Sequence, residues 1–188
     1  MRIVQISDTH GKHHQLKDLP KGDVLIHCGD FTDNGTEEEV LDFLNWFEVQ
    51  PYKYKIFVTG NHDLCLWDAD NIEDLPDGMF FLQDRGVTIE GKSFFGIAYN
   101  HDERIIPEGL DVLVTHEPPL HIMDLTMGID WGNLHIKEQV FKVRPRYHLF
   151  GHAHEAQGVE KHDGIVFSNG SLLNDLGEVV YKAKVFEI

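Results

Sequence analysis

The sequence predicts a single α/β domain over residues 1–188. Three observations support this prediction. Apolar runs of strand length recur along the chain, an amphipathic helix with a capping sequence lies between the second and third runs, and no internal repeat, low-complexity tract or linker divides the chain. A chain of 188 residues can bury about 70% of its unfolded surface on folding, so no disulfide framework is required.

Eight apolar runs of strand length are followed by a ninth, alternating segment. The C-terminal segment VVYKAKVFEI, residues 179–188, alternates apolar and polar residues as a half-exposed strand does. The chain is therefore predicted to contain at least eight strands. The eight runs span residues 2–6, 23–28, 55–59, 79–82, 93–97, 111–115, 147–150 and 165–168.

Two helices are predicted. Thr36 followed by Glu39 forms a capping-box pattern, and the residues that follow place apolar side chains on one helical face. A second, weaker helix is predicted over residues 134–143, ending before Arg144-Pro145, because a residue that precedes proline disfavours helical geometry. The apolar face of the first helix consists of Val40, Phe43, Leu44 and Phe47.

Composition argues against several classes of partner. The formal net charge is −16, from 32 acidic and 16 basic side chains, and the sequence has no Lys/Arg cluster that would form a basic groove. Because an acidic surface repels a polyphosphate backbone, long nucleic acid is a poor partner. No apolar stretch approaches the roughly 20 residues that span a bilayer, so no membrane partner is expected.

The cysteines and the N-terminal segment predict a cytoplasmic protein. Cys28 and Cys65 are too few for a disulfide-stapled scaffold, and Cys28 lies in an apolar run, where a structural role is expected. The start MRIVQISD reads as a first strand, because it lacks the long hydrophobic region and the cleavage site of a signal peptide. Both thiols are expected to be free in a reducing cytoplasm.

Five predicted strands are each followed by side chains that bind metal ions or transfer protons. Each motif alone is common in turns. Because loops that leave the carboxyl ends of parallel strands converge, the five motifs together predict one site at that edge. The residues are Asp8 and His10 in SDTH, Asp30 in CGD, Asn61, His62 and Asp63 in GNHD, His116 in VTHE, and His152 and His154 in GHAHEAQG.

These five motifs, in this order, resemble those of the calcineurin-like metallophosphoesterases over nearly the whole chain, from Ser7 to Gly158. Longer segments, among them GDFTDNG, IPEGLDVLVTHEPPL and VRPRYHLFGHAHEAQG, look like the metallophosphoesterase-domain-containing subfamily, whose studied members act as metal-dependent phosphodiesterases. The resemblance implies a four-layer α/β/β/α sandwich, in which two mixed β-sheets pack face to face with helices outside.

The resemblance also implies two divalent metal ions that share one aspartate. Imidazole, carboxylate and amide ligands without thiolate suit Mn²⁺, our first expectation, with Fe or Zn²⁺ as alternatives. The first ion would be held by Asp8, His10, Asp30 and His154. The second ion would be held by Asp30, Asn61, His116 and His152.

His62 is not a ligand in the family pattern and is therefore predicted to act as general acid, with Asp63 orienting its ring. The predicted reaction is attack on phosphorus by a hydroxide that bridges the two ions, with no covalent protein nucleophile. The expected substrates are small phosphodiesters, such as cyclic nucleotides. Substrate identity, native metal and oligomeric state are left open by the sequence.

Two other functions are alternatives to a phosphodiesterase. A phosphomonoesterase is the nearest alternative within the family. The same fold also serves as a non-catalytic protein-interaction scaffold, as in the retromer subunit that resembles it. That branch has lost metal ligands, whereas all seven are present in this chain, so the scaffold is the less favoured interpretation.

Two features depart from or qualify the family pattern. Glu117 stands where many relatives have glycine, as in THGPP, and would add negative charge near the metal ions. The segment between Asn61 and Phe80 is short, as is IAYNHDERIIPEG, so the roof of the pocket is predicted to be open. His101, in the second segment, is interpreted as a solvated loop histidine rather than a substrate contact.

Overall fold

The computed structural model describes residues 1–97, 99 and 105–188, which form thirteen β-strands and two α-helices. His101 lies outside the described residues. In chain order the elements are β1 Arg2–Ile6, β2 Val24–His27, α1 Glu37–Glu48, β3 Tyr54–Phe57, β4 Met79–Phe81, β5 Arg85–Ile89, β6 Lys92–Gly96, β7 Val112–Val114, β8 Leu125–Thr126, β9 Ile129–Asp130, α2 Leu134–Val143, β10 Tyr147–Phe150, β11 Gly158–His162, β12 Ile165–Asn169 and β13 Lys184–Glu187.

The strands form two mixed sheets and a small hairpin. The first sheet has the order β13-β1-β2-β3-β4, in which β1 to β4 are parallel and β13 is antiparallel to β1. The second has the order β11-β12-β10-β7-β6-β5, with a parallel centre and antiparallel edges. The hairpin pairs β8 with β9.

Three apolar cores separate four layers, as predicted. Alternation along β1 shows the arrangement, since Val4 packs with α1 on one face while Ile3 packs against the second sheet on the other. The middle core joins strands of both sheets, including Ile26 and Val114. The third core lies between the second sheet and α2, where Val140 is fully buried. The α/β/β/α sandwich is therefore confirmed.

The first helix follows its predicted pattern. Thr36 accepts a hydrogen bond from the Glu39 backbone amide at 3.3 Å, and the Glu39 carboxylate accepts one from the Thr36 amide at 3.2 Å. This capping box satisfies two amide donors that would otherwise lack partners at the start of α1. Phe43 and Phe47 are fully buried against the first sheet.

Three regions differ from the predicted strands. The edge strands β5 and β11 were missed, because most of their residues are exposed or half-exposed and no apolar run marks them. The hairpin strands β8 and β9 were missed because each has only two residues. The predicted C-terminal strand begins at Lys184 rather than residue 179, and Val179 instead forms an isolated bridge with Leu173. Among the described helices, none has the length and apolarity needed to cross a membrane.

Candidate metal centre

All seven predicted metal ligands come together at the carboxyl ends of five strands. In the first sheet, the loops after β1, β2 and β3 deliver four of them, and in the second sheet the loops after β7 and β10 deliver three. The ligand side chains are buried or half-buried. The loops after the first sheet hold Asp8, His10, Asp30 and Asn61, and those after the second hold His116, His152 and His154.

The backbone of this region adopts an unusual conformation. Asp8, His10, Asp30 and His152 have φ values of 54°, 40°, 55° and 69°, in the left-handed region that side chains with a Cβ disfavour. Such conformations persist where the surroundings impose them and concentrate at functional sites. Here hydrogen bonds impose them, since the amides of Asp8 and His10 donate to the carbonyls of Gly29 and Asp30, each at 3.0 Å.

The first group of potential metal ligands consists of Asp8, His10 and His154, whose donor atoms all lie within 4.8 Å of one another. The Nε2 atom of His154 lies 3.5 Å from Oδ1 of Asp8, and Nε2 of His10 lies 3.7 Å from Oδ2 of Asp30. The His10 Nε2 atom is buried without a hydrogen-bond partner. A buried nitrogen of this kind, facing carboxylates, fits a metal ligand.

The second group consists of Asp30, His116 and His152, again within 4.8 Å. Oδ1 of Asn61 lies 2.9 Å from both Nε2 of His116 and Nδ1 of His152, and these two nitrogens are 3.2 Å apart. Nδ1 of His116 is 2.9 Å from the Cys28 carbonyl, which fixes the proton on that nitrogen and turns the lone pair of Nε2 toward the group. Converging lone pairs need a cation between them, so these residues fit a divalent ion.

The charges of the site favour a cation as well. Burial alone would lower the pKa of His116, but the neighbouring Asp30 and Asp8 carboxylates raise it to about 10. Burial opposes ionisation of Asp8, yet His154, His116 and His10 hold its pKa well below the usual range. Burial lowers the pKa of His152 to about 4. The two carboxylates therefore stabilise positive charge here, whether a proton or a metal ion carries it.

The prediction that Asp63 orients the ring of His62 is wrong. Asp63 is fully buried, and its carboxylate accepts hydrogen bonds from the amides of Asp30 and Gly60 at 2.8 Å and from the amide and hydroxyl of Thr32 at 2.9 and 2.8 Å. Burial, together with Asp30, raises its pKa, and these donors oppose that rise. Asp63 therefore positions the Asp30 loop. The motif GNHD gave no sign of these backbone partners.

His62 is oriented by a backbone carbonyl instead. Its Nδ1 lies 2.8 Å from the Asp33 oxygen, so this nitrogen carries the proton and Nε2 is left to exchange one with a bound molecule. The ring lies edge-on to His10, with centroids 4.6 Å apart. The backbone amide of His62 donates to Oδ1 of Asp30 at 2.8 Å, which ties the loop to the cluster.

Two glycines make room for the two carboxylates. A Cβ on Gly60 would lie 2.2 Å from Oδ1 of Asp30, and one on Gly151 would lie 2.2 Å from Oδ2 of Asp8 and 2.0 Å from Oγ of Ser7. No side chain fits at either position. Gly151 therefore permits the close approach of the GHAH loop to Ser7 and Asp8.

A cavity of about 410 Å³ opens over the cluster. Its wall includes residues of the β8–β9 hairpin, which the sequence analysis does not predict as part of the pocket. The sequence does carry a sign of this hairpin, because every second residue is apolar at Leu125, Met127, Ile129 and Trp131. Glu117 is not among the described lining residues, and its carboxylate accepts a hydrogen bond from Asn133 at 3.3 Å. The lining residues are His10, Asp30, Asn61, His62, Thr126, Met127, Trp131, His152, His154 and Asp175.

A larger cavity, of about 590 Å³, lies elsewhere between Trp67, Asp70 and Arg85. None of the predicted site residues lines it. The chemistry of the cluster, and not cavity size, therefore locates the candidate site.

Comparisons with known proteins agree with this geometry. The chain is 36% identical over 219 residues to a UPF0046 protein of Caenorhabditis elegans, covering all of this chain and 75% of that protein. It is 32% identical over 221 residues to human metallophosphoesterase domain-containing protein 1, covering 91% of this chain and 66% of that protein. It is 29% identical over 167 residues to a probable glycerophosphodiester phosphodiesterase, GpdQ, of Arcobacter nitrofigilis, covering 65% of this chain and 59% of that protein.

The fold also has solved counterparts. The crystal structure of phosphopantetheinyl hydrolase from Mycobacterium tuberculosis superimposes with a TM-score of 0.61 at 16% identity, covering 90% of this chain and 88% of that chain. The pattern of the calcineurin-like phosphoesterase superfamily domain matches residues 1–186. The chain therefore belongs to the calcineurin-like phosphoesterase superfamily, whose members are metal-dependent phosphoesterases.

Proposed function

We propose that the protein is a binuclear metal-dependent phosphodiesterase that hydrolyses small phosphodiesters, such as cyclic nucleotides. The observation that supports two ions is the position of Asp30 between the two ligand groups. Oδ2 of Asp30 lies 3.7 Å from Nε2 of His10 and 3.3 Å from Nε2 of His116. Asp30 can therefore contribute to both ligand groups. In two-metal sites the ions lie about 3.5 to 4 Å apart, close enough to share a ligand.

The metal ions would supply one part of the chemistry. When bound, two divalent ions, with Mn²⁺ as our first proposal, lower the pKa of a water molecule and neutralise charge on the phosphoryl oxygens. Asp8, His10 and His154 would hold one ion with Asp30, and Asn61, His116 and His152 would hold the other. Asp63 and the glycines keep the carboxylates in place.

His62 would protonate the leaving alkoxide. Its Nδ1–H is engaged with the Asp33 carbonyl, and the side chain lines the cavity, so Nε2 can present a proton to a bound ester. His62→Ala is expected to lower kcat by about 10²- to 10⁴-fold, the usual contribution of a general acid. Metal content, measured by plasma emission spectroscopy, is expected to stay near that of the native protein.

The matched control for His62→Ala is His162→Ala, because His162 is an exposed histidine of β11 whose Nε2 pairs with Glu160, outside the cavity lining. The control should keep both kcat and metal content. Loss of both metal ions in His62→Ala would contradict the assignment of a general acid.

Three observations favour a diester over a monoester. The described residues that line the cavity include no lysine or arginine to pair with the second charge of a monoester. The hairpin wall is apolar, which suits a second ester group. The similarity to a probable glycerophosphodiester phosphodiesterase points to the same substrate class.

The test is metal analysis of the purified protein followed by a substrate panel. Bis(4-nitrophenyl) phosphate, 4-nitrophenyl phosphate and the 2′,3′- and 3′,5′-cyclic nucleotides would each be assayed with and without Mn²⁺. We expect Mn²⁺-dependent hydrolysis, with diesters preferred. A preference for the monoester would establish a phosphomonoesterase, and a folded, metal-free, inactive protein would favour the scaffold.

The cellular setting is also a proposal. Cys28 is buried and Cys65 exposed, and both are free thiols, which supports a reducing cytoplasm. Burial raises the pKa of the Cys28 thiol, in keeping with a structural role. The proposed partner is a small phosphoester and neither a membrane nor long nucleic acid.

A further inference from the structure

We propose that Trp131, on the β8–β9 hairpin, forms a subsite for a planar ester group of the substrate, the group that stays on phosphorus after hydrolysis. The proposal rests on the phosphodiesterase function proposed above and names the kind of diester that the site accepts. Among the described ring contacts, Trp131 lies against His152, whereas the proposed acid, His62, lies against His10.

These contacts place Trp131 and His62 beside different ligand groups. The His62 ring lies 4.6 Å from that of His10, in the first ligand group. The Trp131 indole lies 5.7 Å from the ring of His152, in the second group, at an interplanar angle of 74°. A leaving group that departs toward His62 lies beside His10, so an ester group near His152 is the one that is retained.

The hairpin presents an apolar surface that the described residues leave partly exposed. Trp131 is 49% exposed and Met127 is 79% exposed, although both line the cavity. Thr126 lines the same wall, but its hydroxyl oxygen is buried and does not face the cavity. An indole face and a thioether together suit a planar group, such as an aryl ring or a nucleobase.

The hairpin is held in position before any substrate binds. Glu155, next to His154, accepts a hydrogen bond from the Met127 amide at 2.7 Å. The buried Asp124 carboxylate accepts from the amides of His121 at 2.8 Å and Gly132 at 3.1 Å, and the Trp131 amide donates to the Asp124 carbonyl at 2.9 Å. A preorganised aromatic surface binds a ring without the cost of ordering a loop.

Charge excludes other occupants of this subsite. Asp175 lines the cavity, and no lysine or arginine does so among the described residues. An anionic ester group, such as a second phosphate, would be repelled. A neutral planar group is compatible with both the carboxylate and the indole.

Two diesters that share a leaving group but differ in the group retained on phosphorus isolate the contribution of the retained group. Bis(4-nitrophenyl) phosphate and methyl 4-nitrophenyl phosphate both release 4-nitrophenolate and carry one charge, but the first retains an aryl group and the second a methyl group. In Trp131→Ala, the ratio of kcat/KM for the aryl diester to that for the methyl diester is expected to fall about tenfold, as loss of one stacking contact predicts. In Trp131→Phe, this ratio of kcat/KM values should stay close to that of the native protein.

The control variant is Ile129→Ala, which removes an exposed apolar side chain from the same hairpin outside the cavity lining. Its ratio should equal that of the native protein. A second readout is independent of turnover: calorimetric titration of the Mn²⁺-loaded protein with phenylphosphonate and methylphosphonate. The native protein should prefer phenylphosphonate, and Trp131→Ala should lose about tenfold of that preference.

The outcomes distinguish the two proposals. An equal fall in kcat/KM for both diesters in Trp131→Ala, or an unchanged preference for phenylphosphonate, overturns the subsite. A native protein that hydrolyses neither diester contradicts the phosphodiesterase function, while the phosphonate titration still tests the subsite. Circular dichroism and Tm of each variant identify any loss of folding.

Discussion

His148, inside a strand, and His116, at a strand end, are buried to the same extent and differ in whether a carboxylate lies beside the ring. His148 in β10 and His116 after β7 are both essentially inaccessible to solvent. Burial lowers the pKa of His148 to about 3, and its Nε2 pairs with the hydroxyl of Thr115 at 2.8 Å. Burial also acts on His116, but Asp30 and Asp8 reverse its effect.

His27 repeats the pattern of His148. It lies in β2, its Nε2 is 2.9 Å from the Thr9 hydroxyl, and burial lowers its pKa to about 3. Burial keeps these two imidazoles neutral, whereas the carboxylates beside His116 favour a cation shared with that ring. Contact with the buried Asp30 carboxylate therefore separates His116 from His27 and His148.

The largest effect should come from removing the carboxylate that both ligand groups share. Asp30→Asn keeps the shape of the side chain but removes its charge. Loss of a residue that only supports a ligand costs about 10- to 100-fold in metal affinity or activity, so loss of Asp30 should exceed about 100-fold. Metal content and kcat measure the effect. A variant that retains two ions and full turnover would contradict the central role of Asp30.

A smaller, divided effect should separate the two histidines of the GHAH loop. His154→Ala should impair the ion held with Asp8, and His152→Ala the ion held with Asn61, because each histidine faces a different group. Titration of each metal-depleted variant with Mn²⁺ would measure the number and affinity of the remaining sites. Identical loss in both variants would count against two separate positions.

The smallest effect should come from replacing a structural histidine, one that is buried inside a strand. His148→Leu removes one hydrogen bond and a ring nitrogen, Nδ1, that has no partner, so the free energy of unfolding at neutral pH should change by about 1 kcal/mol. Metal content should be unchanged. A loss of metal in this variant would break the distinction between the two classes of histidine.

The low pKa of His148 also predicts how the free energy of unfolding depends on pH. Because the pKa of His148 is about 3 in the folded protein and 6.5 is its ordinary value, the unfolded chain takes up a proton first as the pH falls through this window. Stability is therefore lost as pH falls from about 6.5 toward 3. In His148→Leu that contribution disappears, so urea unfolding at pH 6, 5 and 4 should show a shallower decline, by up to about 1.4 kcal/mol per pH unit.

The sequence predicted the elements whose side chains are buried on a regular period. The predictions place the five motif-bearing strands and α1 within a few residues, and the predicted ligand residues converge because each follows a strand. The resemblance to a known family supplied the pairing of ligands and the layering of the sheets, which spacing alone does not determine.

The missing features depend on contacts between distant parts of the chain. The carboxylate of Asp63 binds amides of the Asp30 loop, 31 to 33 residues away, and no local pattern encodes those partners. The subsite residue Trp131 was overlooked for a different reason. Its hairpin strands are two residues long, although Gly128 with a φ of 75° marks the turn between them.

The glycines behind the two carboxylates have a consequence for genetics. Any larger residue at Gly60 or Gly151 meets Asp30 or Asp8 before it meets the apolar cores. A missense allele at either glycine would therefore displace the carboxylate of Asp30 or Asp8, although every predicted metal ligand keeps its residue type. A screen for folded but inactive protein should recover these two codons alongside those of the ligands.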